Sequence, residues 1–223
     1  MDDSGKAPWR ASITLGSNPR VAGLQGRMIS RLLLTRLLIL GTVPLFLFTH
    51  HLHPEGHLVD TALGSGGLIL LLVAAGGRIW ASLYIAGRKD QELVTHGPYS
   101  LVRNPLYLFS FLGFLGVGLA FESMALAALM GIIFAVGHWP EVRREEERLA
   151  VLFGEPYEAY RRRVPAFLPR LRLPTTPLSL PVNIRTFSRS LREAALIPLV
   201  FVAAEILEWA KLVELLPVVA LLP

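Results

Sequence analysis

Apolar residues along this chain gather in long runs rather than alternating with polar ones. Four runs are readable, over residues 32–50, 63–86, 106–121 and 123–139. A helix that crosses a bilayer needs about 20 mostly apolar residues, so the last two runs are short. They are separated by little more than Glu122, which predicts a tight hairpin. The pattern predicts an all-α, polytopic membrane helix bundle of four to five transmembrane helices.

The pattern changes after the fourth run. Residues 141–160 are charged, but Leu149, Leu152 and Phe153 recur at helical spacing, which predicts an amphipathic helix that continues the fourth span. Gly154 and Pro156 are expected to interrupt it, because glycine commonly ends a helix and proline cannot continue one.

The C-terminal part divides into two regions of different composition. Residues 171–183 contain three prolines and predict an irregular linker. Residues 194–223 begin with an apolar run and continue with charges at intervals of three, so they predict either a fifth span or a tilted helix in the membrane interface. Glu208 and Lys211 can pair along that helix.

The chain therefore divides into five predicted segments. These are a cytoplasmic tail (1–31), two membrane helices (32–86), a core with the third and fourth helices (87–170), a proline-rich linker (171–193) and a C-terminal membrane or interfacial helix (194–223).

Composition agrees with a membrane protein. The chain has 223 residues, 52% of them hydrophobic and 17% charged, whereas soluble domains carry about 25% charged residues. Its mean hydropathy is +0.49. The absence of cysteine excludes a disulfide framework, a thiolate nucleophile and cysteine-ligated metal.

The net charge of +5 reflects membrane topology rather than nucleic-acid binding. Five Lys or Arg precede residue 32, none lies in the 51–62 loop, and eleven Arg lie between Arg143 and Arg192. Basic loops face the cytoplasm, so the N-terminus and the loops around residues 87–104 and 141–193 are expected there. No cleavable signal is recognisable, and residues 1–25 are expected to be poorly ordered.

The most informative stretch runs from His96 to Pro169. Its parts are H-G-P-Y, R-N-P-x-Y and, beyond the hairpin, E-E-x-x-L-x-x-x-F-G-x-x-Y-x-x-Y-x-x-x-V followed by L-P. This order resembles the isoprenylcysteine carboxyl methyltransferase and phospholipid methyltransferase family, over about a third of the chain. The resemblance implies an integral-membrane enzyme that uses S-adenosylmethionine and methylates a lipophilic or lipid-attached acceptor, with its cofactor-binding region on the cytoplasmic side.

The resemblance assigns the paired acids Glu145 and Glu146 to the cofactor, whose hydroxyl and ammonium groups a carboxylate can bind. By charge alone the same acids fit a solvated helix face, and Glu147 is an extra acid outside the matched pair. His96 and Tyr99 are expected to form one wall of the cofactor pocket, although Gly-Pro equally predicts a simple turn. His96 is also the candidate proton acceptor for an amine substrate.

The resemblance also assigns the second motif to the cofactor. Arg103 would neutralise the cofactor's carboxylate, and together with His96 it is the candidate catalytic residue. Asn104 stands where the family commonly has His, so no proton transfer is assigned to it. Pro105 is expected to start the third helix, and Tyr107 completes the cofactor-binding set.

Several further residues have two interpretations. Arg36 and Arg78 are charges within spans that can snorkel to the interface, and Arg78 and His138 are also candidates for contact with the substrate. Gly113, Gly116 and Gly118 indicate close helix packing. The histidines at 50, 51, 53 and 57 resemble a metal site, but their loop lacks helically spaced ligand pairs, so no metal is assigned.

Two other functions stay open at this point. Membrane sterol and enone reductases have a distantly similar His-Pro-x-Tyr element and use a nicotinamide cofactor. A non-enzymatic scaffold with a basic cytoplasmic surface would explain the charge asymmetry but not the paired motifs.

Overall fold

The structure, a computed structural model, describes residues 40–47, 49–51, 58–217 and 220–222. The predicted tail, Arg36, most of the first span and His53 and His57 lie outside the described residues.

Seven helices occur in the described part of the chain. They are α1 (40–47), α2 (Leu58–Ile85), α3 (Pro105–Ala120), α4 (Met124–Phe153), α5 (Glu155–Arg163), α6 (Ile184–Ala195) and α7 (Leu199–Leu212). A short 3₁₀ turn, Gly97–Ser100, precedes α3. The all-α prediction holds apart from one small feature: strand β1 (Thr49–His51) pairs in parallel with β2 (Ala220–Leu222).

Two helices are long and apolar enough to cross a membrane, α2 with 28 residues and α4 with 30. At about 1.5 Å per residue, both exceed a hydrocarbon core about 30 Å thick. α3 is apolar but has only 16 residues. Large apolar side chains such as Ile69, Leu72 and Ile132 are exposed on α2 and α4, as expected of faces that meet lipid.

The α3–α4 hairpin forms where the sequence predicts it. Pro105 is in the first turn of α3, and Glu122 adopts a positive φ in the turn between the helices. Ser123 caps α4 by accepting a hydrogen bond from the backbone N–H of Leu126 at 3.2 Å. This cap satisfies one of the free amides that begin every helix.

Glycine lets α2, α3 and α4 approach closely, as predicted for α3. A Cβ atom on Gly118 would lie 2.2 Å from the backbone nitrogen of Ala127 on α4. Gly67 of α2 is equally tight, at 2.5 Å from the nitrogen of Ala120. The three helices therefore form one packed unit.

α4 runs without interruption through Pro140 to Phe153 and carries the charged segment beyond the apolar part. Gly154 then ends it with a φ of 59°, as predicted. Pro156 makes no second break, because it lies in the first turn of α5, which begins at once. The tyrosines of α5, Tyr157 and Tyr160, are buried and pack with Leu149, Phe153 and Val164.

The C-terminal segment runs back along α2. Asn183 bonds to the carbonyl of Ala86 at the end of α2, and Ala204 packs with Leu71 further along. The predicted linker 171–193 is irregular only as far as Asn183, because α6 occupies its second half. α7 has 14 residues, about 21 Å, so it is too short to cross a bilayer alone.

Candidate functional site

The H-G-P-Y motif forms the 3₁₀ turn between α2 and α3. Gly97 has a φ of 59°, a conformation that glycine adopts without strain, and a Cβ there would collide with the ring of Tyr84. The linker holds the turn from outside: the Gly97 N–H donates to the Thr175 carbonyl at 2.7 Å, and Arg172 donates to the Ser100 carbonyl at 2.5 Å. The turn is therefore fixed between α2 and the linker.

Glu146 of α4 joins the R-N-P motif. Its Oε1 lies 3.3 Å from the Arg103 guanidinium and accepts a hydrogen bond from the Asn104 amide at 2.9 Å. The Arg103 and Glu146 side chains are only 11% and 14% exposed, so solvent screens this ion pair weakly. Arg103 also donates to the Arg161 carbonyl of α5 at 3.3 Å, which ties three segments together.

Glu145 faces a different set of cations. It lies 3.6 Å from the Lys89 ammonium and 3.8 Å from Arg148 on its own helix. Arg148 also pairs with Asp90 of the loop after α2. The two acids of the motif are therefore neighbours in sequence with separate partners.

Three tyrosines close the centre of the site. The Tyr160 hydroxyl donates to the Tyr99 carbonyl at 2.7 Å. Burial raises the pKa of Tyr99 and of Tyr160 above the ordinary tyrosine value. Burial, followed by the nearby Glu146 charge, raises the pKa of Tyr157 to about 12. All three are neutral hydrogen-bonding groups at physiological pH.

Arg78, Ser110 and His138 lie on the apolar helices at the inner side of the site. Arg78 donates to the Ser110 hydroxyl, which in turn donates to the Leu106 carbonyl at 2.7 Å. His138 stacks on Phe134 with ring centroids 4.1 Å apart and meets the ring of Tyr107 edge-on.

These groups surround one cavity of about 350 Å³. Its wall combines the candidate cofactor residues with the two candidate substrate residues, namely Tyr99, Arg103, Asn104, Pro105, Tyr107, Glu145, Arg78 and His138. Glu146 supports the wall through Arg103 and Asn104 without lining it.

His96 lies apart from this group. Its side chain is exposed and does not line the cavity, and its carbonyl accepts a hydrogen bond from the Tyr99 N–H at 3.2 Å. The structure therefore places His96 at the start of the turn rather than against Tyr99 and Arg103. Glu147 is exposed, on the side of α4 away from the cavity.

Several lining residues were not predicted. They are Ile85, Lys89, Asp90, Glu92, Leu93, Val94, Leu106, Ser110, Leu149, Tyr157 and Tyr160. Leu149, Tyr157 and Tyr160 stand in the quoted E-E-x-x-L motif, so their spacing is the signal that could have found them. Ser110 has no such signal, because only the packing of α3 on α2 brings it to Arg78.

The cavity suits a polar, partly charged ligand. The Tyr99 and Tyr157 hydroxyls and Arg103 Nε are buried without a hydrogen-bond partner among the described residues, which is costly unless a ligand or water meets them. Glu145 supplies an acceptor and Arg103 a donor to the lining of the same cavity. In the part of the chain that the structure describes, no three His, Asp or Glu side chains group as metal ligands would.

Comparison with known proteins finds a matching family model and several relatives. Residues 66–156, which include most of this cavity, match the phospholipid methyltransferase family model. The nickel-cobalt-cadmium resistance protein NccN of Alcaligenes xylosoxydans xylosoxydans is 36% identical over 185 residues, 83% of this chain and 86% of the relative. The cobalt-zinc-cadmium resistance protein CzcN of Cupriavidus metallidurans is 40% identical over 65% of this chain and 66% of the relative.

A third relative is an enzyme by name. The protein-S-isoprenylcysteine O-methyltransferase of Schizosaccharomyces pombe is 33% identical over 81 residues, 36% of this chain and 34% of that protein. No solved structure matches the chain.

Proposed function

Because the chain belongs to the isoprenylcysteine carboxyl methyltransferase and phospholipid methyltransferase family, we propose that it is a multi-pass membrane enzyme that transfers a methyl group from S-adenosylmethionine to a lipophilic acceptor. The observation that carries the proposal is the cavity itself. It joins both sequence motifs, on either side of the hairpin, around buried polar atoms that have no hydrogen-bond partner in the described part of the chain.

The outer part of the cavity binds the cofactor. Glu145 accepts hydrogen bonds from its hydroxyl or ammonium groups, and Arg103 and the Tyr157 hydroxyl donate to its carboxylate. Glu146 holds Arg103 in position, so it acts through that residue. The Tyr99 ring provides an apolar face for the adenine base of the cofactor, and its hydroxyl provides a hydrogen-bond donor.

The inner part receives the acceptor. S-adenosylmethionine, when bound, supplies an electrophilic methyl group on a sulfonium sulfur. The chain's contribution is to hold the acceptor in line, with Arg78 and His138 as the polar contacts, and to exclude water with the apolar walls of α3 and α4. The acceptor's apolar part reaches this end from the bilayer, and its nucleophile is a carboxylate, an amine or a thiol.

The orientation follows from charge. The loop after α2, the end of α4, α5 and the linker lie at the same end of the bundle as the cavity and carry most of the arginines. We place this end and the N-terminus in the cytoplasm, where the cofactor is made available.

The first test is calorimetric titration of the detergent-purified protein with S-adenosylmethionine. Wild type is expected to bind, and Glu146→Ala to bind at least about tenfold more weakly, since it leaves Arg103 and Asn104 without their shared acceptor. Glu147→Ala is the matched control: the adjacent, exposed acid is expected to leave affinity unchanged.

The same titration separates the rival functions. Binding of a nicotinamide cofactor in place of S-adenosylmethionine would identify a reductase. If folded wild type binds neither cofactor, with or without candidate lipids, the non-enzymatic scaffold is the function that remains. Because two relatives are named for metal resistance, nickel and zinc titrations serve as a further control for an activity separate from methyl transfer.

A further inference from the structure

Residues 168–192, called the collar here, expose an unusual amount of apolar surface. Leu171 and Leu178 are fully exposed, and Leu168 and Leu173 nearly so. Scattered exposed leucines are ordinary, but four within eleven residues at one end of a membrane bundle form an apolar edge that the rest of the described chain does not cover.

α6 continues this edge as an amphipathic helix. Phe187 and Ala194 turn toward the bundle, while Ile184 and Leu191, seven residues apart on one face, stay exposed. Beside that apolar row runs a second row of three exposed arginines: Arg185, Arg189 and Arg192. An apolar row next to a basic row is typical of helices that contact a membrane surface.

The charge of the collar has one sign. Residues 168–192 contain five Arg and no Asp or Glu. Arg170, Arg185 and Arg192 have no carboxylate partner among the described residues, whereas Arg189 pairs with Glu193 at 3.0 Å. These exposed cations are available to an external anion.

The collar is attached to the end of α2. Arg88 donates to the Pro181 carbonyl at 3.3 Å, and the Asn183 N–H donates to the Ala86 carbonyl at the same distance. Both contacts lie just beyond Ile85, where the candidate spanning helix α2 ends. The start of α6 therefore lies beside the end of α2 that carries the cavity.

We propose that the collar binds the anionic lipid of the leaflet on the cofactor side. The exposed leucines and Ile184 enter the boundary of the acyl chains, and Arg170, Arg185 and Arg192 pair with lipid phosphates. This surface is separate from the methyl-transfer cavity, and it holds whether or not that activity is found.

The collar also has a link to the cavity. Its Thr175 carbonyl and Arg172 guanidinium hold the Gly97–Ser100 turn, which carries Tyr99. Lipid bound to the collar therefore fixes the position of the turn that forms one wall of the cavity.

The test places a single reporter at chosen positions, which is simple because the chain has no cysteine. Leu178→Cys and Leu191→Cys are labelled with an environment-sensitive fluorophore, and the full-length protein is reconstituted in nanodiscs. The discs contain phosphatidylcholine alone or mixed with phosphatidylglycerol, each with and without a quencher attached to the acyl chains. Both labels are expected to shift to the blue and be quenched in the mixed discs.

Two controls make the result specific. Val151 is also exposed but lies near the C-terminal end of α4, past its apolar part, so the label on Val151→Cys is expected to stay unquenched. The triple variant Arg170→Gln/Arg185→Gln/Arg192→Gln, made in the labelled proteins, is expected to lose the quenching. The labelled proteins without these substitutions are expected to lose it at high salt.

Three results would overturn the proposal. Labels at 178 and 191 that behave like the label at 151 would show that the collar does not meet lipid. Equal quenching in discs of phosphatidylcholine alone would remove the role of anionic lipid. Shielding that appears only as protein concentration rises in detergent would identify a second copy of the chain as the occupant.

Discussion

Neighbouring acidic residues on one helix have different surroundings in this protein. Glu146 binds Arg103 and Asn104, Glu145 faces the cavity beside Lys89, and Glu147 is exposed. Each step along a helix turns the side chain by about 100°, so three consecutive residues necessarily point in three directions. The sequence predicts the acidic pair, but only the structure shows that the pair divides between supporting the wall and lining it.

Tyr157 provides a prediction at this scale. Its pKa is raised to about 12 in the folded protein, whereas a tyrosine of the unfolded chain ionises near pH 10. The folded state thus keeps a proton that the unfolded state loses, so this tyrosine's contribution to stability is complete below about pH 10 and declines as pH rises toward 12.

Tyr157→Phe is therefore expected to make the loss of stability between about pH 10 and pH 12 less steep. Unfolding midpoints of wild type and variant, measured in detergent from pH 8 upward, check this. Parallel curves for the two proteins would mean that the Tyr157 hydroxyl is solvated rather than buried.

At the scale of elements, the bundle depends on contacts between backbones. The sequence indicates packing through the glycines of α3, and the structure confirms it at Gly118. It also adds Gly67 of α2, whose neighbour Gly66 has nothing within 4 Å of its would-be Cβ. The two are adjacent and chemically identical, so no sequence pattern distinguishes them, and only the relative rotation of α2 and α3 does.

This pair makes a matched experiment. Gly67→Ala places a methyl group against the backbone of Leu119 and Ala120 and is expected to destabilise the protein by about 1–3 kcal/mol. Gly66→Ala is expected to leave stability unchanged or slightly raised, because alanine is the better helix former. Thermal unfolding in detergent measures both, and equal midpoints would contradict the α2–α3 packing.

The outlines of most elements follow from the sequence, since Pro105, Ser123 and Gly154 are local signals that act within a few residues. The C-terminal part does not follow in the same way. Its charge pattern is compatible with either a membrane span or an interfacial helix. The structure instead has two shorter helices, α6 and α7, that meet at Leu196–Pro198. Their course along α2 depends on distant contacts such as Ala204 with Leu71, which carry no local signature.

At the scale of the whole molecule, the two ends of the helix bundle differ in both charge and geometry. The cavity, the collar and most arginines lie at one end, while the α3–α4 turn and the start of α2 lie at the other. The sequence predicts this polarity from loop charges alone. It also names Arg78 and His138 as candidate substrate contacts, but only the structure shows that they line the same cavity as Arg103. It places His96 in the cavity wall, whereas the structure leaves this side chain exposed and outside the lining.

The orientation itself can be measured with the cysteine-free chain. Met124→Cys, exposed at the start of α4, is expected to react with a membrane-impermeant maleimide added outside intact cells. Val151→Cys, at the opposite end of the same helix, is expected to react only after the membrane is permeabilised. The reverse pattern would place the cavity on the outer side of the membrane.

The unbroken course of α4 also limits how related chains can differ in length. His138 and Glu145 lie seven residues apart on one continuous helix, and both face the cavity. Inserting or deleting one residue between them would turn Glu145 and Glu146 by about 100° and shift them by about 1.5 Å. Single-residue insertions and deletions are therefore expected to be excluded from this interval. A change of seven residues, nearly two full turns, is expected to be excluded as well: it would restore the direction of the acids but move them about 10 Å away from Arg103.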